Sequence, residues 1–200
     1  MTPEDAYRAL WREVLTVMPK LPQLQAFLPP LPKDPLFNGA TPSAAAPGLD
    51  FEACLPITTP DFRPLIETLI KVKQSLEWRQ SYTEDDGVDA AFLHGYGHIS
   101  LTGPDAPFQA DDHRLFLIHF GPRSFYPEHQ HLPAEVYGCV AGQAEFSAEG
   151  RADILAGPGD CVHHVSDQIH ATRMMAQPYV ALIGWRAEDL TVAPKIVANS

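Results

Sequence analysis

The stretch Tyr126-Pro127-Glu128-His129-Gln130-His131-Leu132-Pro133-Ala134-Glu135-Val136-Tyr137 sets the reading of the whole chain. His129 and His131 are two residues apart, so on an extended strand they share a face. Pro133 turns the chain, and Glu135 opens the next run with its carboxylate able to return to that face. Two imidazoles and a carboxylate suit a first-row metal ion and leave room for a further ligand. Gly157-Pro158-Gly159-Asp160 is a tight turn entering a strand, and His170, eleven residues beyond Gly159, supplies that ligand. The candidate metal set is therefore His129, His131, Glu135 and His170. Tyr137 lies two after Glu135 and so on the same strand face, while Tyr126, three before His129, can approach the pocket mouth. A nearby divalent cation favours phenolate and makes either tyrosine a candidate general base.

Working outward, residues from about 90 onward show short apolar or alternating runs separated by Gly, Pro and Asp. These are Tyr96–Leu101, Leu115–Phe120, Glu135–Val140, Ala144–Ser147, Cys161–His164, His170–Met175 and Tyr179–Trp185. Evenly punctuated short strands indicate a β-sandwich or barrel. The N-terminal texture is helical. Thr2-Pro3-Glu4-Asp5 carries a capping Thr, an early Pro and acids at the positive end of the dipole. Tyr7, Leu10, Trp11, Val14, Leu15 and Met18 then predict an amphipathic helix over roughly 3–18. A short helix is expected around Gln23–Phe27, followed by an aperiodic Pro/Ala/Gly-rich connection from Pro29 to Gly48. A second long helix is expected from Pro60 to about Gln80–Tyr82, before the turn Glu84-Asp85-Asp86-Gly87. The expected organisation is mainly β with an α-helical N-terminal part: residues 1–90 packed on a barrel formed by 91–200.

The bulk numbers narrow the function. A formal net charge of -11 with 14 basic residues excludes a phosphate-gripping surface and hence nucleic acid. An acidic surface still accepts a zwitterionic or cationic small molecule. Cys54, Cys139 and Cys161 form an odd set without a CxxC spacing, which suits free thiols in a reducing compartment. No apolar run is long enough for a membrane span, and acids occupy the N-terminus where a leader would carry bases, so the expected location is cytoplasmic.

The pattern HxH, three residues, Glu, six residues, Gly142, then a distant Pro-Gly-Asp with a His eleven after its Gly, resembles the two motifs of the cupin superfamily. One position departs: the Gly that opens the first motif is displaced to Gly121, and Arg123 stands in its place. Alternation points one of His163 and His164 inward, so His164 competes as a ligand, though its spacing from the turn fits the pattern poorly. His94, His98, His113 and His119 read as structural or surface groups, with His98 placed to line the pocket.

Three stretches are similar to the cupin-type dimethylsulfoniopropionate (DMSP) lyases, the DddQ branch especially: residues 126–137, Phe92-Leu93-His94-Gly95-Tyr96-Gly97-His98, and Trp78-Arg79-Gln80-Ser81-Tyr82. The resemblance covers roughly residues 75–186. It implies a cupin barrel preceded by helices and one divalent metal ion (zinc, iron, manganese, cobalt or nickel) on His131, Glu135, His170 and His129. Tyr137 matches the family's proposed base, Tyr126 a second active-site tyrosine, and Trp185 an aromatic wall. The implied reaction is β-elimination of DMSP to acrylate and dimethyl sulfide. A sulfonium has no proton to donate, and an aromatic face is its natural partner; Trp78, Tyr82, Tyr96, Phe125 and Trp185 are candidates for that role. The fold alone also admits a metal-dependent oxygenase or isomerase, a lyase-like cupin acting on another small carboxylate, and a non-enzymatic small-molecule binder. The N-terminal helices offer either a lid for the barrel mouth or a homodimer surface.

Overall fold

A computed structural model describes residues 1–197. Helix α1 (Pro3–Val17) begins where Thr2 accepts the Asp5 amide through its side chain, and it buries Tyr7, Leu10, Trp11 and Val14 along one stripe. Trp11 Nε1 donates to Pro32 O at 3.0 Å and Tyr7 Oη accepts from the Glu77 amide at 3.2 Å, so α1 pins the irregular connections that cross it. Helix α2 (Pro22–Phe27) lies against the barrel, and α3 (Arg63–Val72) packs on α1.

The expected long helix from Pro60 to Gln80–Tyr82 is corrected. After Val72 a single 3-10 turn, Lys73–Ser75, leads into extended chain. There the Arg79 amide and carbonyl pair with His98 in both directions, at 2.9 and 3.0 Å, which competes with helical bonding. A short helix α4 (Ala90–Gly95), capped by Asp89, was not anticipated.

Eleven strands follow: β1 (Gly97–Gly103), β2 (Phe108–Gln109), β3 (Arg114–Phe120), β4 (Phe125–Gln130), β5 (Ala134–Ala141), β6 (Ala144–Ala148), β7 (Ile154–Ala156), β8 (Cys161–His164), β9 (His170–Met174), β10 (Tyr179–Arg186) and β11 (Lys195–Ile196). They form a six-stranded sheet, β2-β1-β3-β10-β5-β8, and a five-stranded sheet, β11-β4-β9-β6-β7. Alternation divides the first sheet between two cores. Val136, Val140, Val180 and Leu182 face the helices, while Tyr137, Cys139, Tyr179 and Ile183 face the barrel interior. Two covered faces explain why β3 and β10 read as nearly continuous apolar runs.

Two glycines show how tightly this closes. A Cβ on Gly138 would lie 2.7 Å from a Leu21 methyl, so α2 can approach β5 only over glycine. Gly142 has φ +74 and a Cβ there would sit 2.0 Å from Pro178 O, which makes glycine mandatory between β5 and β6. Arg123, the residue in the displaced glycine position, has φ +56; Arg123 N donates to Met175 O at 2.8 Å, which ties down the left-handed turn.

Candidate metal centre and its pocket

β4 and β9 pair antiparallel with His129 directly opposite His170, their ring centroids 4.0 Å apart. The register shifts by one residue between Tyr126 and His129. Without that bulge, residues three apart would point to opposite faces; with it, Tyr126 turns inward too and its ring stacks on His129 at 3.7 Å. His131 follows the end of β4, and Glu135 stands at the start of β5. Among the described residues, these two with His129 and His170 make one cluster whose ligand atoms all lie within 4.8 Å of one another, every member buried.

The imidazoles are oriented by the backbone. Nδ1 of His129 donates to Pro127 O at 2.8 Å, that of His131 to Pro133 O at 2.8 Å, and that of His170 to Gln168 O at 2.7 Å. A carbonyl can only accept, so each neutral ring carries its proton on Nδ1 and presents a lone pair on Nε2, the tautomer a metal site requires. Nε2 of His170 and of His131 lie 2.9 and 3.4 Å from Glu135 Oε1. All three atoms are buried without a hydrogen-bond partner. Lone pairs gathered this closely repel unless a cation stands among them, so the donor set fits a divalent metal ion.

Without a cation the four groups lean on one another's charge. Burial works against charge on Glu135, yet His131 and His170 hold its carboxyl well below the usual carboxylate range. Burial likewise opposes charge on His131, and Glu135 outweighs it and raises that imidazole. Burial and His170 together push His129 well down. The remaining Glu135 oxygen, Oε2, accepts from Trp185 Nε1 at 2.8 Å across the β5–β10 pair. The indole also lies over His131, centroids 4.5 Å apart.

These groups open into a pocket of about 410 Å³, mouth included, whose wall also carries Tyr137, Tyr126, Tyr96 and His98. Tyr137 is packed edge-on against Phe146 at 5.1 Å. Burial and the Glu135 charge raise its phenol well above its ordinary value. Tyr126 is raised by burial too, and its hydroxyl is hydrogen-bonded to that of Tyr82.

Several expectations need correction. Trp78 does not reach the pocket: with α3 ended at Val72, its ring turns back onto Phe51 (5.5 Å) and Nε1 donates to Lys73 O at 2.8 Å. Tyr82 stands behind Tyr126 and off the pocket wall. Phe125 faces outward, with the Arg173 guanidinium 4.3 Å over its ring. His164 is buried but outside the four-residue cluster; its ring backs His170 at 4.0 Å, nearly parallel. Ser81, Phe116, Ile118, Ile183 and Pro194 line the pocket without having been singled out. Alternation along β3 from the buried Leu115 and Leu117 would have found Phe116 and Ile118. Pro194 precedes β11, which pairs with β4 at His129 and Gln130, and no local signal announces it.

Helices on the outer face and a double-sheet barrel with a buried three-histidine, one-glutamate cluster that could hold a metal ion define a cupin. The dimethylsulfoniopropionate lyase family model matches residues 39–181. The DMSP lyase DddQ of Ruegeria pomeroyi is 32% identical over 195 residues, covering 97% of this chain and 96% of that protein. The crystal structure of DddQ from Ruegeria pomeroyi DSS-3 superposes with a TM-score of 0.86 at 30% identity, over 96% of each chain. A crystal structure reported with the DMSP lyases RdDddP and RnDddQII gives 0.88 at 29% identity, over 98% of this chain and 100% of the other. The chain belongs to the DMSP lyase family. None of its described helices is long and apolar enough to cross a membrane.

Proposed function

We propose that this protein is a carbon–sulfur lyase that cleaves DMSP to acrylate and dimethyl sulfide, with one divalent metal ion on His129, His131, Glu135 and His170 and with Tyr137 as the base. The observation that carries the reading is the buried lone-pair cluster with the Tyr137 phenol on the same pocket wall, in a chain of this family. When bound, the metal ion supplies positive charge that draws the substrate carboxylate, acidifies the alpha C–H and favours phenolate over phenol. Tyr137 takes the alpha proton. The C–H electron pair forms the Cα–Cβ double bond, and the Cβ–S pair leaves with sulfur as neutral dimethyl sulfide. A neutral zwitterion thus becomes acrylate, dimethyl sulfide and one proton, which Tyr137 passes on to solvent.

Tyr126 suits a different task. Its hydroxyl is committed to Tyr82 and its ring to the face of His129, so it holds a ligand in place. Tyr96 and Trp185 remain as aromatic contacts for the substrate. Zinc, iron, manganese, cobalt and nickel all suit three imidazoles and a carboxylate, and the protein is taken to work in the cytoplasm. The test is headspace dimethyl sulfide and acrylate from DMSP under anaerobic conditions, with the metal identified in the same sample by elemental analysis. Product formation is expected; no gas after each of the five metals has been restored would refute the lyase reading.

A further inference from the structure

Two polar groups on the pocket wall, Ser81 and His98, have no part in the elimination chemistry. Tyr96, beyond α4, and His98, on β1, line the pocket with Ser81. The Tyr96 hydroxyl donates to Ser81 Oγ at 3.2 Å. Its oxygen is then left to accept from His98 Nδ1, also at 3.2 Å. That arrangement places the lone pair of a neutral imidazole on Nε2, which makes no hydrogen bond among the described residues.

The ring is fixed from the side by Phe116, edge to face at 5.8 Å, and Phe116 meets Trp185 in the same way at 5.2 Å. Trp185 in turn lies over His131, so a row of rings runs from His98 to the metal ligands. Behind His98 stand Arg79 and Arg114, each ion-paired: Arg79 with Glu77 and Asp105, Arg114 with Asp105. Burial, aided by those two cations, holds the His98 imidazole down to about 4, so it is neutral at ordinary pH. The wall thus offers aromatic faces and an uncharged acceptor, and among the described residues no Lys or Arg lines it. A sulfonium spreads its charge over C–H groups and donates no N–H, so it is held by π faces and by C–H contacts to lone pairs.

We infer that Ser81, Tyr96 and His98 form the onium end of the pocket, and that His98 is the residue selecting a cationic head over a neutral head of the same shape. The inference rests on the lyase reading, which places the substrate's carboxylate at the metal cluster.

The experiment compares the wild-type holoenzyme with His98→Leu and His98→Lys. It measures KM for DMSP, and Ki for 4-methylpentanoate, in which a C–H replaces the sulfonium sulfur. Metal content and thermal stability are recorded for each. The leucine variant is expected to raise KM about threefold to tenfold while Ki changes less than twofold. The lysine variant should raise KM further, because it puts a like charge beside the onium. His98→Leu is neutral and readily buried, so it decides the matter alone if the lysine variant does not fold. KM and Ki rising together, or neither moving, would overturn the subsite. A wild-type enzyme that releases no dimethyl sulfide brings down the lyase reading and the subsite with it. Turnover with an unmoved KM-to-Ki ratio brings down the subsite only.

Discussion

Trp185→Phe removes one hydrogen bond and leaves a ring against His131 and Phe116. The bond lost runs from the indole N–H to Glu135 Oε2, 2.8 Å long, onto a carboxylate that is 1% exposed. Hydrogen bonds to charged groups contribute about 1.5–3 kcal/mol, and no bulk water reaches this oxygen to replace the donor. With each 1.4 kcal/mol worth about tenfold, metal affinity should fall by roughly 10- to 150-fold, in the range for losing a partner of a metal ligand. The assay is titration of the apo-protein with zinc against a chromophoric chelator, together with KM and kcat at saturating metal. The sequence reading makes Trp185 a pocket wall, in which case replacement raises KM and leaves the metal alone. The structure makes it a support for Glu135 first. Metal affinity within twofold of wild type would refute the argument that the indole orients the ligand.

Tyr137→Phe should keep its metal by elemental analysis and lose about 10²- to 10⁴-fold in kcat, as for removal of a general base; full activity would remove Tyr137 from the mechanism. Glu135→Ala should abolish stoichiometric metal binding, since it deletes the carboxylate on which two imidazoles converge; a variant that retains one metal ion per chain would contradict the ligand assignment. A fourth prediction concerns pH. His119 is buried, with Nδ1 on Gly95 O at 2.9 Å, and burial holds its imidazole down to about 4. The unfolded chain takes up this proton near pH 6.5, so between about pH 6.5 and 4 it binds more protons than the folded one and stability falls with pH. His119 contributes up to about 1.4 kcal/mol per pH unit to that slope. In the metal-free protein, denaturant midpoints at pH 7 and pH 5 should therefore differ less for His119→Gln than for wild type; equal slopes would sink the assignment.

The four-residue cluster was legible because its geometry is local. Two histidines in alternation, a turn and a glutamate need only strand periodicity to share a face, and the Pro-Gly-Asp turn marks the entry to the strand that leads towards His170. Tyr126, expected at the pocket mouth, does line the pocket, and it reaches it because β4 is bulged against β9 beside Pro127, which has no amide to give the ladder. What escaped was set by pairings distant in sequence. The helix expected to run to Tyr82 stops at Val72 because Arg79 finds a β partner in His98, so Trp78 is turned into the helical core and away from the pocket.

Trp185 shows the limit most clearly. Alternation along β10 places it on the inner face, hence the expectation of an aromatic wall. Its partner is fixed by the β5–β10 register, which sets Trp185 opposite Glu135 at a separation of fifty residues. The β5–β8 pairing sets Glu135 opposite His164 on its other side. The carboxylate is therefore held from β10 by the indole, and the imidazoles are aimed by nearby backbone carbonyls. A site supported in this way is preorganised before any cation arrives, so substitutions in the supporting strands should weaken metal binding without touching a ligand.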